Sequence, residues 1–279
     1  MPKIPATKKN TIATLIKQAS RDLQKNNIPN PKMEARWLLA HICNIDDVTI
    51  LVDDKKTISQ KNKKKFLNLI KKRSQHIPFA YLLGWKEFFS LRFIVSPAVL
   101  IPRPTSENIC QTVIDYFLPS TKLSIADLGT GSGCLLLTLL HHFKYATGVG
   151  IDISQKALSV AKHNAKNLKV ITRVNMLKKN LTHHIILQKK FDVIVANPPY
   201  VKKQEYKKLA KDIFFEPSIA LIAKDNKKND GLYFYPLIKK FADSHLIKNG
   251  LLVMEAAHGQ KKSIEKIFAH SHYKTIIIT

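Results

Sequence analysis

The sequence is poor in cysteine, and it has no apolar run long enough to cross a membrane. Its cysteines are few, far apart and odd in number, which argues against a disulfide framework or a zinc site (Cys43, Cys110 and Cys134). The longest apolar runs, at residues 93–102 and 135–140, are far shorter than the roughly 20 residues of a transmembrane helix. The basic amino terminus lacks the apolar core of a signal peptide. These absences predict a soluble cytoplasmic protein with no membrane partner and no metal.

Acidic residues are also scarce, because 20 Asp and Glu face 46 Lys and Arg, for a formal net charge of +26. Such a charge favours nucleic acid as a partner, since basic side chains displace counterions from phosphates. Only six of the basic residues are arginine, whose planar fork best matches phosphates and guanines. The lysines accompany many asparagines and isoleucines, a combination that an AT-rich genome also produces. We therefore attribute the charge mainly to composition, and we expect nucleic acid to be no more than a weak partner.

Apolar residues recur at helical spacing in the first 75 residues. Thr11 can cap a first helix, Pro31 stands at the first turn of a second, and Ser59 can cap a third whose lysines point outward. Residues 1–75 are predicted to form a small helical bundle without an identifiable titratable pocket. Residues 76–100 are predicted to form a β-hairpin linker with Gly84 at its turn, because aromatic and β-branched residues alternate there.

From about residue 101 the pattern changes to alternating helices and strands. The strands, including one at residues 170–174 and a fourth at 191–196, are almost continuously apolar, which indicates a parallel sheet covered on both faces. Residues 101–279 are therefore predicted to form a doubly wound α/β domain. In such a sheet, ligands bind at the carboxyl ends of the strands, where the strand order reverses.

A glycine-rich turn follows the first of these strands, in "ADLGTGSGC". Gly129, Gly131 and Gly133 would leave no side chain between the backbone and a ligand, directly before a helix amino terminus. Asp152 ends the next strand, 25 residues after Asp127, where a carboxylate can accept hydrogen bonds from both hydroxyls of a ribose. We infer a nucleoside cofactor rather than a plain tight connection. The G-x-G-x-G spacing resembles the cofactor loop of S-adenosylmethionine-dependent methyltransferases, and this resemblance, not the fold, favours that cofactor over NAD.

The fourth strand runs into "NPPYV", a loop that its sequence makes stiff. Asn197 and Pro198 each precede a proline and are therefore held extended. Their carbonyl groups can each accept one hydrogen of a planar NH₂ group, while the ring of Tyr200 stacks on that group. A planar NH₂ group is a poor nucleophile, because its lone pair is drained into the π system. Adenine, cytosine, guanine and glutamine all carry such a group, and the loop alone does not choose between them.

Several motifs together resemble the peptide chain release factor glutamine N5-methyltransferases. Residues 81–107, "DLGTGSG", "GIDIS", "NPPYV", "FFEPSIAL" and "MEAAHGQ" occur in the order and spacing of that family, over residues 75–278. The first of these segments discriminates best, since nucleic-acid methyltransferases that share "NPPY" generally lack it. The resemblance implies a Rossmann-like class I methyltransferase. It would transfer a methyl group from S-adenosyl-L-methionine to N5 of the glutamine in the Gly-Gly-Gln loop of release factors, with residues 1–75 as the substrate-recognition surface.

The resemblance also implies roles for individual residues. Asn197, Pro198 and Tyr200 would be catalytic, with Pro199 completing the substrate-binding loop. The cofactor would contact Asn197 as well as the following residues: Asp127, Gly129, Thr130, Gly131, Ser132, Gly133 and Asp152, with Asn175 and Met176 standing where the family has an acid and a tryptophan after the third strand. The motif at residues 215–217 belongs either to the site or to a packed turn.

The sequence departs from the family pattern at three further places. Thr105 replaces an acid, Ala257 replaces a glycine at a sharp turn, and the family continues beyond "TIIIT" with a strand that inserts into the sheet. We therefore expect residues 275–279 to form an exposed sheet edge. Three other functions stay open: a glutamine methyltransferase acting on a ribosomal protein, an amino-group methyltransferase of nucleic acid at adenine N6 or guanine N2, and a catalytically degenerate cofactor-binding module. We expect a monomer.

Overall fold

A computed structural model describes residues 10–224 and 230–279 of the chain. The chain divides into two compact units, the first ending at Gly84 and the second running from Trp85 to Thr279. Among the described residues, no helix is both long enough and apolar enough to cross a membrane.

The first unit is helical, as the apolar spacing predicts. Thr11 accepts a hydrogen bond from the backbone NH of Thr14, and Ser59 accepts one from the backbone NH of Asn62, so both predicted caps are confirmed. A short helix that the sequence did not predict is capped by Asp46. The unit contains α1 (Ile12–Lys25), α2 (Pro31–Cys43), α3 (Asp47–Val52), α4 (Gln60–Ser74) and α5 (Phe79–Leu83).

A buried ion pair fastens α4 to α2. Arg73, which is 2% exposed, donates from Nε to Glu34 Oε2 at 2.5 Å and from Nη2 to Glu34 Oε1 at 3.2 Å. Its Nη1 donates to the backbone carbonyl of Ile77 at 3.2 Å. The fork geometry satisfies both charged groups, as a buried pair requires.

The second unit begins with a two-stranded antiparallel hairpin, β1 (Trp85–Phe88) and β2 (Leu91–Ile94). The predicted turn at Gly84 is wrong. Gly84 ends α5 with a φ of 79°, and the hairpin turns at Phe89 and Ser90, whose φ values of 51° and 58° suit a tight two-residue turn. The aromatic alternation located the hairpin but could not separate it from the short helix before it.

The rest of the second unit is a six-stranded, wholly parallel sheet with helices on both faces, which confirms the doubly wound Rossmann-like fold. The strand order is β5-β4-β3-β6-β7-β8. The elements are α6 (Glu107–Tyr116), β3 (Ser124–Leu128), α7 (Cys134–His142), β4 (Thr147–Asp152), α8 (Gln155–Asn167), β5 (Val174–Lys178), β6 (Phe191–Ala196), α9 (Lys203–Tyr206), α10 (Phe234–His245), β7 (Leu246–Glu255), α11 (Lys261–Ile267) and β8 (Lys274–Ile278).

The third strand of this sheet lies later in the chain than predicted. Ile171–Arg173 forms a short 3-10 turn, and β5 begins only at Val174. The guanidinium group of Arg173 donates to the backbone carbonyls of Leu140, Phe143 and Ala146 around the end of α7. This contact keeps the segment before Val174 out of the sheet.

The strand order reverses at β3. The chain passes outward from β3 to β4 and β5, then crosses back to β6, which lies on the other side of β3. The carboxyl ends of β3 and β6 therefore flank the switch point where such sheets bind ligands. At one edge of the sheet, β8 pairs only with β7 among the described strands, as expected for residues 275–279.

Candidate functional site

A cavity opens at the switch point of the sheet. It is lined by the ends of β3 and β4, by the residues that follow β5 and β6, and by two loops at residues 98–100 and 217–222. Most of the lining is apolar, with the polar groups of Asp152, Asn180 and Asn197 among it. A mostly apolar cleft with a few convergent polar groups is the usual form of a small-molecule site.

Gly129 and Gly131 of the glycine-rich turn, between β3 and α7, line this cavity, whereas Gly133 does not. Gly129, Gly131 and Gly133 have φ values of 79°, 54° and 82°, which a residue with a Cβ rarely adopts. A Cβ added to Gly129 would meet no atom within 4 Å, so the backbone at this point borders open space. Thr130 and Ser132, also predicted to bind the cofactor, are buried within the turn.

Asp152 lies at the carboxyl end of β4 and lines the cavity, as predicted. Its Oδ2 accepts a hydrogen bond from the backbone NH of Gly131 at 2.9 Å, and its Oδ1 accepts one from the backbone NH of Ser154 at 2.8 Å. Burial nevertheless raises the pKa of Asp152 above its usual value. Each oxygen keeps a further lone pair, so the carboxylate can still accept from two ligand hydroxyls.

Asp127 lies behind the turn, not among the residues that line the cavity. It is 1% exposed, and its Oδ2 accepts a hydrogen bond from Thr130 Oγ1 at 2.6 Å. Burial raises the pKa of Asp127 to about 7. Its position suits a group that stabilises the conformation of the turn rather than one that contacts a ligand.

The two residues predicted to contact adenine lie inside β5, not after it. Asn175 is exposed and Met176 is buried in the core, and neither lines the cavity. The residues that do follow the strand and line the cavity are 179–182, among them Asn180 and Leu181. The prediction that Asn175 and Met176 follow the third strand is wrong, and it failed because that strand was placed four residues too early.

The "NPPY" loop leaves β6 at the cavity. Asn197, Pro198 and Pro199 line it, whereas Tyr200 is half-buried at the end of the loop. Asn197 Nδ2 donates to Glu255 Oε2 at 3.0 Å and to Ser106 Oγ at 2.9 Å.

The hydroxyl of Tyr200 donates to the same carboxylate, at 2.9 Å from Glu255 Oε1. Burial, reinforced by the charge of Glu255, raises the pKa of Tyr200 well above its usual value, and the charge of Arg103 acts in the opposite direction. The hydroxyl therefore stays protonated, and the ring is fixed in place.

Sequence reasoning missed the roles of Ser106 and Glu255. Glu255 ends β7 with 3% exposure, and the Ser106 hydroxyl donates a short hydrogen bond to its Oε2. A signal for Glu255 was present, since an acid directly after an apolar strand is the same pattern that singled out Asp152. No such signal marks Ser106, which lies directly before α6.

Asn164 on α8 is a second group that the sequence did not single out. It is wholly buried, accepts from the backbone NH of Ile94 at 2.7 Å, and donates to the carbonyls of Ile94 at 3.0 Å and Ser132 at 2.9 Å. One side chain thus joins β2 to the glycine-rich turn.

The motif at residues 215–217 forms a turn that is also part of the cavity. Glu216 is buried and accepts from the backbone NH of Ile101 at 2.9 Å and from Arg103 Nη2 at 2.5 Å. Pro217 lines the cavity, whereas Phe215 is 41% exposed. The turn after β7 contains Ala257, where the family has a glycine. Its left-handed residue is Gly259, two residues further along the chain.

Comparison with known proteins identifies two family domains. Residues 14–84 match the PrmC N-terminal domain, and residues 110–227 match the methyltransferase small domain. The release factor glutamine methyltransferase of Buchnera aphidicola is 36% identical over 253 residues, which cover 91% of this chain and 88% of that protein.

Two further relatives extend the comparison. The release factor glutamine methyltransferase of Fusobacterium nucleatum is 32% identical over 258 residues, covering 92% of this chain and 72% of that protein. A bifunctional methyltransferase of Rickettsia prowazekii is 35% identical over 282 residues, covering 94% of this chain but 54% of that protein. The chain thus spans about half the length of this bifunctional relative.

Proposed function

The chain belongs to the release factor glutamine methyltransferase family, and on that premise we propose its reaction. It transfers a methyl group from S-adenosyl-L-methionine to the side-chain amide nitrogen, N5, of the glutamine in the Gly-Gly-Gln loop of peptide chain release factors. The observation that carries this proposal is that Asn197 and Pro198 share one cavity with the glycine-rich turn and Asp152. The residues proposed to hold a planar NH₂ group therefore lie beside the residues proposed to hold a nucleoside.

The cofactor side of the cavity fits S-adenosyl-L-methionine. Residues 129–133 would hold its methionine end, where the open space at Gly129 admits a ligand against the backbone. Asp152 would hold the ribose hydroxyls with the lone pairs that its two backbone hydrogen bonds leave over. Asn180 and Leu181 line the same cavity as Asp152 and would border the base. The bound cofactor supplies an activated methyl group on a sulfonium leaving group.

On the substrate side, the residues of the "NPPY" loop orient a weak nucleophile. An amide nitrogen shares its lone pair with the carbonyl, so the reaction needs alignment and stabilisation of the positive charge that the nitrogen develops. The side-chain carbonyl of Asn197 and the backbone carbonyl of Pro198 each accept one hydrogen of the NH₂ group. The ring of Tyr200 packs against the amide plane and excludes water. After transfer the nitrogen releases one proton, which restores a neutral amide.

The wider setting of the reaction is part of the same proposal. Residues 1–75, of which the structure describes 10–75, provide the surface that recognises the release factor, and residues 101–279 carry the chemistry. We place the protein in the cytoplasm as a monomer that acts in translation termination. The basic surface binds nucleic acid weakly, and the reaction does not require it.

The test offers methyl-labelled S-adenosyl-L-methionine with one of four acceptors: a release factor, the same factor with the glutamine of its Gly-Gly-Gln loop changed to alanine, DNA, and ribosomal RNA. We expect label on the unmodified release factor alone. Asn197→Ala is expected to abolish that label, because it removes an acceptor for the NH₂ group, while calorimetry still detects binding of S-adenosyl-L-methionine.

Other outcomes would favour the alternatives. Label on DNA or ribosomal RNA would mean that the net charge of +26 was the better guide to the substrate. Ribosomal proteins are offered as a fifth acceptor, and label on one of them would mean that the reaction is the same but the protein substrate is different. Binding of the cofactor without transfer to any acceptor would identify a degenerate cofactor-binding module.

A further inference from the structure

We propose that Glu255 is a positioning residue, whose carboxylate decides which edge of the Asn197 amide faces the substrate. The inference rests on the proposed function, because it concerns how Asn197 comes to present a hydrogen-bond acceptor. It assigns a role to a buried carboxylate that ends β7, outside the "NPPY" loop itself.

The sheet places Glu255 beside Asn197. The strands β6 and β7 are parallel neighbours, and Ala196 pairs with Met254 at their carboxyl ends. The next residues along the two strands are Asn197 and Glu255, so their side chains meet at the same sheet edge. Glu255 is 3% exposed, which leaves its carboxylate dependent on protein donors.

The donors and acceptors around this carboxylate allow one consistent assignment. A carboxylate only accepts, so the Ser106 hydroxyl spends its single proton on Glu255 Oε2. The oxygen of Ser106 then acts as an acceptor toward Asn197, at 2.9 Å. Glu255 Oε2 is the second acceptor toward Asn197, at 3.0 Å. The edge of the Asn197 amide that faces these two oxygens must therefore be its NH₂ group.

This assignment fixes the chemistry that Asn197 offers to the cavity. If the amide were flipped by 180°, its carbonyl oxygen would face two acceptors, and both NH₂ bonds would be lost. The carbonyl is consequently kept on the edge away from Glu255, as a substrate NH₂ group requires. Without this constraint, an asparagine side chain presents a donor or an acceptor with similar ease.

The second oxygen of the carboxylate holds the other end of the loop. Glu255 Oε1 accepts from the Tyr200 hydroxyl at 2.9 Å. The carboxylate thus supplies an acceptor on each of its edges, one for Tyr200 and one for Asn197 with Ser106. A methionine of similar length supplies neither, whereas a glutamine can keep its oxygen toward Asn197 and donate its NH₂ group to the Tyr200 hydroxyl.

The first experiment is Glu255→Met, measured as the single-turnover rate constant for transfer of labelled methyl to the release factor. We expect this rate constant to fall on the order of 10²-fold, because a reacting group is misplaced, with the Kd for S-adenosyl-L-methionine within about twofold of wild type. The matched control is Tyr235→Phe, which removes a hydrogen bond to the backbone carbonyl of Glu255 and leaves the carboxylate contacts intact. The control is expected to keep the wild-type rate constant. A wild-type rate constant in Glu255→Met would overturn the proposal.

The second experiment exchanges donor and acceptor between the two side chains. Asn197→Asp alone puts two carboxylates in contact, which is unfavourable. Adding Glu255→Gln restores a matched pair. The glutamine NH₂ group donates to one oxygen of the aspartate carboxylate, and the second oxygen of that aspartate remains an acceptor for the substrate. We expect the double variant to be at least about tenfold more active than Asn197→Asp alone. A purely structural role for Glu255 gives the opposite result, with the double variant no better than either single variant.

A third measurement needs no substrate, and so separates this proposal from the proposed function. In protein labelled with ¹⁵N-asparagine, the side-chain NH₂ signal of Asn197 is identified by its loss in Asn197→Ala. We expect its protons to exchange with water at least about tenfold more slowly than those of exposed asparagines, and this protection to vanish in Glu255→Met. Unchanged protection would refute the positioning role even if the release factor is methylated. Lost protection in a protein that does not methylate the factor would leave the positioning role intact and refute the substrate.

Discussion

Replacing Asp127 by asparagine should change how stability depends on pH. The carboxyl group is 1% exposed, and burial raises its pKa from 3.8 to about 7. The folded state therefore holds a proton that the unfolded state has already released between these two values. Because the folded pKa is raised, the stabilisation is complete below about pH 4 and is lost as the pH rises through about 7.

The size of the effect follows from the shift. A difference of about three pKa units, at about 1.4 kcal/mol for each unit, corresponds to about 4 kcal/mol. An asparagine at this position has no charge to bury, and its side-chain oxygen can still accept from Thr130 Oγ1. Relative to wild type, Asp127→Asn is therefore expected to gain about 4 kcal/mol of stability between pH 4 and pH 8.

Urea unfolding at several pH values measures this difference, with Asp115→Asn as a control at an exposed carboxylate of the same unit. The two compact units unfold separately in principle, so the transition is followed by a probe in the second unit, such as the quenching of fluorescence from Trp85. Parallel stability curves for wild type and Asp127→Asn would refute the reasoning. They would mean that the carboxyl group is ionised at no cost in the folded protein.

Three further substitutions test parts of the fold that support the site. Gly150→Ala puts a Cβ 2.7 Å from Met176 Sδ and 3.1 Å from the Thr130 side chain, and should cost about 1–3 kcal/mol of stability and weaken cofactor binding in calorimetry; unchanged binding would mean that the Met176 side chain moves aside and leaves Thr130 in place. Arg73→Ala leaves Glu34 buried without its partner, and should destabilise the first unit by about 3–5 kcal/mol in urea unfolding. A loss below about 1 kcal/mol would mean that water replaces the ion pair. Asn164→Ala should speed hydrogen exchange of the Ile94 amide at least about tenfold, whereas unchanged exchange would show that β2 is held by other contacts.

The sequence predicts local features of this fold better than long-range ones. Thr11, Pro31 and Ser59 mark helix starts correctly because capping depends on residues within one turn. The placement of β5 failed because Arg173 bonds to carbonyls about 30 residues away, a contact that no local pattern contains. Apolar β-branched residues before Val174 therefore looked like the strand itself.

The candidate site divides in the same way. Asp152 and Asn197 could be predicted because each follows an apolar strand, and parallel strands end at one edge. The contact between Ser106 and Glu255 joins positions 149 residues apart, and it exists only because the start of α6 lies over the end of β7. Asn180 was missed as a result of the error in β5, because placing that strand too early moved the expected adenine contact to Asn175.

The ion pair of Glu216 has a consequence for how molecules enter and leave the cavity. Residues 98–100 and 217–222 form two of its walls, and Glu216 ties them together through Ile101 and Arg103. The side chain of Arg103 is 33% exposed, so dissolved ions can compete for it. We therefore expect added salt to shorten the residence time of a molecule bound in the cavity, and a less exposed cation at position 103 to lengthen it.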